Sequence, residues 1–293
     1  MYFNLNIIFY YYIMNVILVD SSYTSFYRFF ATLRWMSMAN KEIYKEYKDD
    51  CNYDWSQNKI FFEKYKKMYL ESIKSLVKNK VFNNSKIIFC LDAPQNTLWR
   101  NKLSKEYKGN RVDLSLKHNF KPTFKYTYEK LIPELVKNNK KIFSIKYKEL
   151  EADDIIALCS RYIRKKIPNK TVYLISGDQD FYQLGYDKLF FIDYKKKKLL
   201  NFSKSEAKEK LHQKIINGDC SDNIPSIFPK DKKELSNKER KLYKESKKEL
   251  KKYLEKNKKI NDQYEINKKL IDFKNIPKKY HLPIYKKINK ITK

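Results

Sequence analysis

Five short runs of the chain are mostly apolar and rich in β-forming residues: 16–19, 86–91, 141–146, 171–175 and 189–194. Continuous rather than alternating runs of this length read as strands buried on both faces. Between them lie longer stretches whose apolar residues recur at helical spacing: 23–37, 60–78, 124–138, 151–166 and 203–217. Strand and helix alternate, so the expected fold is α/β, with a central, mostly parallel sheet flanked by helices. After Pro229 the texture changes to a Lys/Glu-rich stretch in which Leu235, Leu242, Leu250 and Leu254 could form one narrow helical stripe. It reads equally as a solvated helix or spacer and as a helix facing a polyanion. The segment "YEINKKLIDFKNIP" regains an apolar pattern and is expected to pack back on the core. The expected division is therefore an α/β domain over 14–218 and a helical, lysine-rich region over 219–293.

Residues 1–13 extend the first apolar run to nearly the length of a membrane span. A signal peptide would need a charged start and a small-residue cleavage site, which this stretch lacks. Met14 opens "MNVILVDSSY", a strand ending in Asp20, so residues 1–13 are expected to be a dispensable extension, with an anchor or extra packed segment as the alternative.

Composition adds a partner. The 293 residues carry 64 Lys and Arg against 34 Asp and Glu, a formal net charge of +30. Part of that excess fits an AT-rich coding bias toward Lys, Asn, Ile and Tyr. The remainder points to a polyanion, most simply nucleic acid. Four cysteines without a C-x-x-C pair suggest a reducing, intracellular setting rather than secretion. His118, His212 and His281 have no zinc-type spacing.

The acids are not spread as the bases are. Asp20 ends the first apolar run and Asp92 the second, in "IIFCLDAP". The third leads into "ELEADDII", where Glu151 and Asp154 share one helical face and Asp153 sits beside them. Asp178 and Asp180 follow the fourth in "LISGDQD", and "GDCSD" adds Asp219 and Asp222. In a parallel α/β sheet, sites form beyond the carboxyl ends of the strands. Acids from distant parts of the chain should therefore meet at one end. Each alone is more often a turn or helix cap; the ordered set is not. Two carboxylates about 4 Å apart repel by roughly 4 kcal/mol at an effective dielectric near 20, so the cluster needs cations or bound protons. Oxygen-only ligands favour Mg²⁺ or Mn²⁺. Two such ions about 4 Å apart suit hydrolysis of a phosphodiester.

The motifs "VILVDSS", "LDAPQNTLWRNKLSKEYKGNR", "ELEADDIIA", "LISGDQDFYQL" and "GDCSDNIP" resemble those of the structure-specific 5′-nucleases, the flap endonucleases and 5′→3′ exonucleases, in a phage-like or viral style. The resemblance runs over about 14–228. It implies a PIN-like fold with a helical arch over about 100–140 and a C-terminal helical DNA-binding region. It implies two Mg²⁺ or Mn²⁺ ions, the first held by Asp20, Asp92, Glu151 and Asp153 with Asp154 in support, the second by Asp178, Asp180 and Asp222 with Asp219 beside them. It also implies a DNA substrate with a 5′ flap or 5′ end, an RNA–DNA end being the variant, with no small-molecule cofactor and a monomeric enzyme of replication or repair. Arg100, Lys108 and Arg111 would lie near one helical face at the arch base. Lys108 and Arg111 would hold the scissile phosphate, and Tyr107 would stack on a base. A solvated basic helix is the plain alternative, and core packing is the alternative for Phe120, Phe124, Tyr126 and Tyr128. One departure stands out: the family's Gly-rich hairpin after "DNIP" is replaced by "SIFPKDKKELSNKERK", which has no glycine. A nest of backbone amides needs glycine, so duplex grip is expected to rest on lysines and to weaken with salt. The rival readings are a PIN-type ribonuclease and a non-catalytic nucleic-acid-binding protein derived from a nuclease.

Overall fold

The computed structural model describes residues 14–110, 117–229 and 235–293. In chain order its elements are β1 (Asn15–Asp20), α1 (Ser21–Ala39), α2 (Lys41–Tyr47), α3 (Lys59–Val77), α4 (Asn79–Asn83), β2 (Ser85–Leu91), α5 (Lys121–Tyr126), α6 (Ile132–Asn138), β3 (Ile142–Lys146), α7 (Ala152–Lys166), β4 (Val172–Ile175), β5 (Leu189–Ile192), β6 (Leu199–Asn201), α8 (Lys204–Asn217), α9 (Asn237–Glu245), α10 (Lys247–Lys256), α11 (Lys258–Ile271) and α12 (His281–Thr292). The five expected strands and the helices between them are present. The short β6 pairs antiparallel with β5 and had no signal of its own in the pattern.

Among the described residues the sheet has six strands in the order β3-β2-β1-β4-β5-β6, with every pairing parallel except the last. Val16, Ile17, Leu18 and Val19 are fully buried, as a central strand covered on both faces requires. One face meets α7 and α12 through Val16, Leu18, Ile155, Cys159, Ile284 and Ile288. The other meets α1 and α3 through Ile17, Val19, Phe29, Tyr65 and Tyr69. The order reverses between β1 and β4, so a crevice opens there beyond the strand ends.

The aromatics of 120–128 take the core-packing alternative. Phe120, Phe124, Tyr126 and Tyr128 lie against the α1–α3 side of the core. Between α5 and α6 the helix widens to a π-turn at Thr127–Leu131, a distortion that re-aims side chains.

The lysine-rich stretch is not one striped helix. It breaks at Ser246, whose hydroxyl caps α10 through the N–H of Glu249. Leu235, Leu250 and Leu254 are buried, whereas Leu242 is 45 % exposed. The expected boundary at 218/219 does not coincide with a break in packing. Phe273, Ile276, Tyr280, Ile284, Ile288 and Ile291 join the same core as β1. Lys86 and Lys170 donate to the carbonyls of Ile291 and Thr292, placing positive charge at the C-terminus of α12. Among the described residues no helix is long and apolar enough to cross a membrane; residues 1–13 lie outside them.

Candidate metal centre

The crevice beyond β1 and β4 opens into a cavity of ≈ 290 Å³ whose lining includes Asp20, Asp92, Lys108, Glu151, Asp153 and Asp178. Each acid arrives there by a local backbone reason. Asp20 ends β1 and caps α1, accepting from the Tyr23 N–H at 3.1 Å. Asp92 follows β2; its Oδ1 accepts from the Ala152 N–H at 2.7 Å, which ties the β2 exit to the start of α7. Asp178 follows β4 and caps the short turn after it, accepting from the Asp180 N–H at 2.8 Å. Capping and clustering thus coexist, because a carboxylate oxygen engaged by one N–H keeps a second lone pair.

Neutral partners set the angles. The Ser176 hydroxyl donates to Asp20 Oδ2 at 2.8 Å, bridging the ends of β4 and β1. The Ser22 hydroxyl donates to Asp92 Oδ2 at 2.5 Å and also meets the Tyr128 hydroxyl at 2.7 Å. The π-turn is what brings Tyr128 to that position. Gly177 leaves space that a Cβ would take from the Tyr23 ring, 2.7 Å away.

The crowding of acids shows in their proton affinity. Burial, then Asp92, pushes Asp20 up to about 7, against the pull of its hydrogen bonds from Tyr23 and Ser176. Burial and the charge of Glu151 push Asp153 well above the usual carboxylate range, and burial raises Asp178. Glu151 goes the other way: burial opposes its charge, but Arg100 and Lys108 outweigh burial and hold it below its ordinary range.

On the far rim the remaining acids gather round a lysine that sequence reasoning missed. Lys214 of α8 forms ion pairs with Asp180 and, at 2.8 Å, with Asp219. Asp222 accepts from the Tyr107 hydroxyl at 3.1 Å and lies 3.8 Å from Lys108 Nζ. The tight loop that carries Asp219 and Asp222 requires Gly218: its φ is +70°, and a Cβ there would lie 2.3 Å from the Ile224 carbonyl oxygen.

Several expectations for the "WRNKLSKEYKGNR" segment are corrected. Trp99–Lys102 is a single 3₁₀ turn followed by further turns, so Arg100 and Lys108 do not share a helical face. Arg100 is 2 % exposed and faces inward. Its Nη1 donates to Glu151 Oε2 at 2.7 Å, and its Nη2 pairs with Asp154 Oδ1 at 2.8 Å. A guanidinium enclosed in this way cannot meet a phosphate. Tyr107 is 5 % exposed, so its ring is not open to a base; its hydroxyl lies 3.0 Å from Glu151 Oε2 and 3.1 Å from Asp222 Oδ2 and shares its one proton between them.

Asp154 is braced by the protein. An oxygen of each of Glu151, Asp153 and Asp154 lies within 4.8 Å of the other two. Asp154 Oδ2 accepts from Trp99 Nε1 at 2.8 Å, from Arg100 Nη1 at 2.9 Å and from the Glu151 N–H at 3.2 Å, and its Oδ1 is ion-paired with Arg100, which fits a supporting place beside the acids. Lys108 does reach the cavity: its ammonium is paired with Glu151, and its backbone sits at φ 59°, a left-handed position for a non-glycine residue. Arg111 lies outside the described residues. Ser22 and Ser176 had no signal beyond their places beside the acids, and Trp99 none beyond its place before Arg100; Lys214 is marked only by its position five residues before Asp219.

The donor set fits a hard divalent cation. Among the described residues the cavity lining offers carboxylates and hydroxyls, and no His or Cys. Buried acids that hold protons for want of positive charge are the arrangement that a divalent ion relieves. The fold and the site thus define an α/β protein with a carboxylate-rich cavity, suited to a hard divalent cation, at the switch point of its sheet.

Comparison with known proteins gives the family. The sequence profile described as "5'-3' exonuclease, N-terminal resolvase-like domain" matches residues 15–212, and the chain belongs to that family. It is 30 % identical over 166 residues to a 5′-3′ exonuclease of Buchnera aphidicola subsp. Schizaphis graminum, covering 54 % of this chain and 53 % of that protein. It is 28 % identical over 209 residues to the ribonuclease H of Enterobacteria phage T4, covering 66 % of this chain and 67 % of that one. The chain spans about half the length of the curated exonuclease. In fold it resembles the T5 D15 protein co-crystallised with metal ions, with a TM-score of 0.62 and 19 % identity over 95 % of this chain and 100 % of that one. A T5 D15 flap endonuclease pseudo-enzyme-product complex with DNA and metal ions matches with a TM-score of 0.62 and 20 % identity, over 95 % and 99 % of the two chains.

Proposed function

We propose that the chain is a metal-dependent, structure-specific 5′-nuclease that hydrolyses phosphodiesters at 5′ flaps or 5′ ends of DNA, acting as a monomer in replication or repair inside the cell. The observation that carries this reading is the meeting of Asp20, Asp92, Glu151, Asp153 and Asp178 with Lys108 around one cavity, in a member of the exonuclease family. Asp20, Asp92, Glu151 and Asp153 would hold a first Mg²⁺ or Mn²⁺, and Asp178, Asp180 and Asp222 a second, with Asp219 beside them. Such ions supply a nucleophile at neutral pH and offset charge on the leaving oxygen.

The protein's own part is positioning. Ser176 and the Tyr23 N–H orient Asp20; Ser22 with Tyr128, and the Ala152 N–H, orient Asp92. Lys108, whose ammonium is paired with Glu151 at the cavity, would lie beside the scissile phosphate, where it would offset charge that grows in the transition state. Lys214 keeps Asp180 and Asp219 aligned, and Arg100 and Trp99 anchor the start of α7 through Asp154.

A 3′-end-labelled duplex with a 5′ DNA flap tests the proposal, with Asp153→Asn as the comparison. Cutting at the junction that needs both Mg²⁺ and Asp153 is the expected result. Metal-independent binding without cutting would instead support a non-catalytic nucleic-acid-binding protein. The similarity to a phage ribonuclease H favours one further substrate, an RNA–DNA hybrid with a 5′ RNA end. The same assay with an RNA flap separates the two.

A further inference from the structure

Among the described residues, five that are not glycine have a left-handed backbone: Lys78, Lys108, Glu149, Lys197 and Asn223. Two of them, Lys108 at φ 59° and Asn223 at φ 58°, lie far apart in the chain yet flank one contact. The Lys108 N–H donates to the Asp222 carbonyl at 2.9 Å, and Asn223 Nδ2 donates to the Glu106 carbonyl at 2.9 Å. Asn110 Nδ2 adds a bond to the Cys220 carbonyl at 3.1 Å. The segment 106–110 is thus clasped to the loop 219–223, which carries Asp219 and Asp222.

Each half of the clasp holds an unfavoured backbone, and in each the side chain gives the reason. The Gly109 N–H donates to the Glu106 carbonyl at 2.8 Å and closes a turn whose third residue is Lys108. A left-handed third position favours glycine or asparagine. Lysine stands there instead, and its ammonium reaches the metal cavity, where it pairs with Glu151. On the other side asparagine tolerates the left-handed region, and glycine would serve the backbone as well. What Asn223 adds over glycine is its amide, and that amide bonds the same carbonyl that closes the Lys108 turn. A carbonyl oxygen has two lone pairs and accepts both donors. Unfavoured backbone that the surroundings enforce gathers at functional sites.

We propose that Asn223 is a positioning residue for Lys108: through the Glu106 carbonyl it fixes the turn that aims the Lys108 ammonium into the cavity. This rests on the reading of the cavity as a nuclease centre and adds to it a residue outside the cavity lining. The hold is mutual. The Lys108 N–H fixes the Asp222 carbonyl, and the Tyr107 hydroxyl lies 3.1 Å from Asp222 Oδ2, so turn and loop keep each other in place. Precision of this kind matters because misplacing a group at a reacting centre by about 1 Å can cost about 10²-fold in rate.

Asn223→Gly tests the proposal, since it leaves the left-handed backbone accessible and removes only the amide. The first readout is hydrogen exchange of the full chain in EDTA without DNA. The segment 106–110 should exchange about two- to tenfold faster in the variant, as for the loss of one hydrogen bond, with β1 and α7 unchanged. The second is single-turnover cleavage of the 5′-flap duplex at saturating Mg²⁺, which should fall about 10–100-fold, as when the support of a site residue is removed, with flap-DNA affinity nearly unchanged. In a Lys108→Ala background the same substitution should cost less than about threefold, because the group it positions is gone. Full multiplication of the two losses would overturn the positioning role and leave Asn223 a structural brace. Unchanged exchange in a wild type that cuts would overturn the clasp alone. A wild type that does not cut would overturn the nuclease reading, and the positioning role with it.

Discussion

Arg100→Met removes a guanidinium that is enclosed by the fold and leaves its partners in place. Four contacts are lost: Nη1 to Glu151 Oε2 at 2.7 Å, Nη1 to Asp154 Oδ2 at 2.9 Å, Nη2 to Asp154 Oδ1 at 2.8 Å, and Nε to the Leu270 carbonyl at 2.9 Å. Glu151 is 4 % exposed and Asp154 fully buried, so water cannot take over. Breaking a buried pair from one side costs about 3–5 kcal/mol, much of it the stranding of the other charge. At about 2–4 °C per kcal/mol in a chain of this size class, the melting temperature should fall by about 6–20 °C. The assay is urea and thermal unfolding followed by circular dichroism in EDTA, so that bound cations add nothing. Arg100→Lys should recover only part of the loss, because an ammonium cannot fork to two carboxylates and a carbonyl. The pH dependence has a defined sign. Glu151 is held below its ordinary 4.5, so its share of the stability is present above that pH and is lost as pH falls through the lowered value. Arg100→Met should therefore narrow its deficit against wild type in acid. A loss below about 1 kcal/mol, far short of the range for a buried pair, would refute the reasoning. So would an Arg100→Lys protein of full stability whose turnover alone is lost, which would return Arg100 to the substrate-facing place at the arch base expected from the sequence.

Asp20, pushed up to about 7 by burial and by Asp92, retains a proton in the fold that it gives up when unfolded. Its contribution is present below its ordinary 3.8 and is lost as pH rises toward 7, so metal-free protein should lose stability over that window. Asp20→Asn should flatten the dependence and be more stable than wild type at pH 8 in EDTA while losing nuclease activity; unchanged urea midpoints would count against this. Lys108→Ala should lower single-turnover cleavage by about 10²–10³ with a much smaller change in flap-DNA affinity, as for loss of a group that acts on transition-state charge; a change under threefold would remove Lys108 from that role. Gly218→Ala forces a Cβ to within 2.3 Å of the Ile224 carbonyl oxygen at φ +70°. It should cost at least about 1–3 kcal/mol and weaken Mg²⁺ dependence through Asp219 and Asp222, measured by unfolding and by Mg²⁺ titration of activity.

Much of the site is legible without coordinates because strand exits are local events. An apolar run that ends in Asp20, Asp92 or Asp178 announces both the strand and the acid at its carboxyl end, and parallel topology then gathers those ends at one edge. The capping box that joins Glu151 and Asp154 is equally local. What periodicity could not decide is which way a polar side chain turns when two directions are chemically sensible. Arg100 looks like a phosphate ligand among lysines, yet it turns inward because Asp154, 54 residues later in the chain, is buried and needs a cation. Tyr107 is drawn in by Glu151 and Asp222 in the same way. The break at Ser246 and the return of α12 to the sheet likewise depend on which surfaces of distant segments are left to cover. Sequence alone determined the five parallel strands, the main helices between them and the convergence of acids, because these follow from spacing along the chain. Tertiary structure alone decided which charges are ligands and which are braces, because a buried charge takes its role from the partner that folding places within about 3 Å, hydrogen-bonding distance.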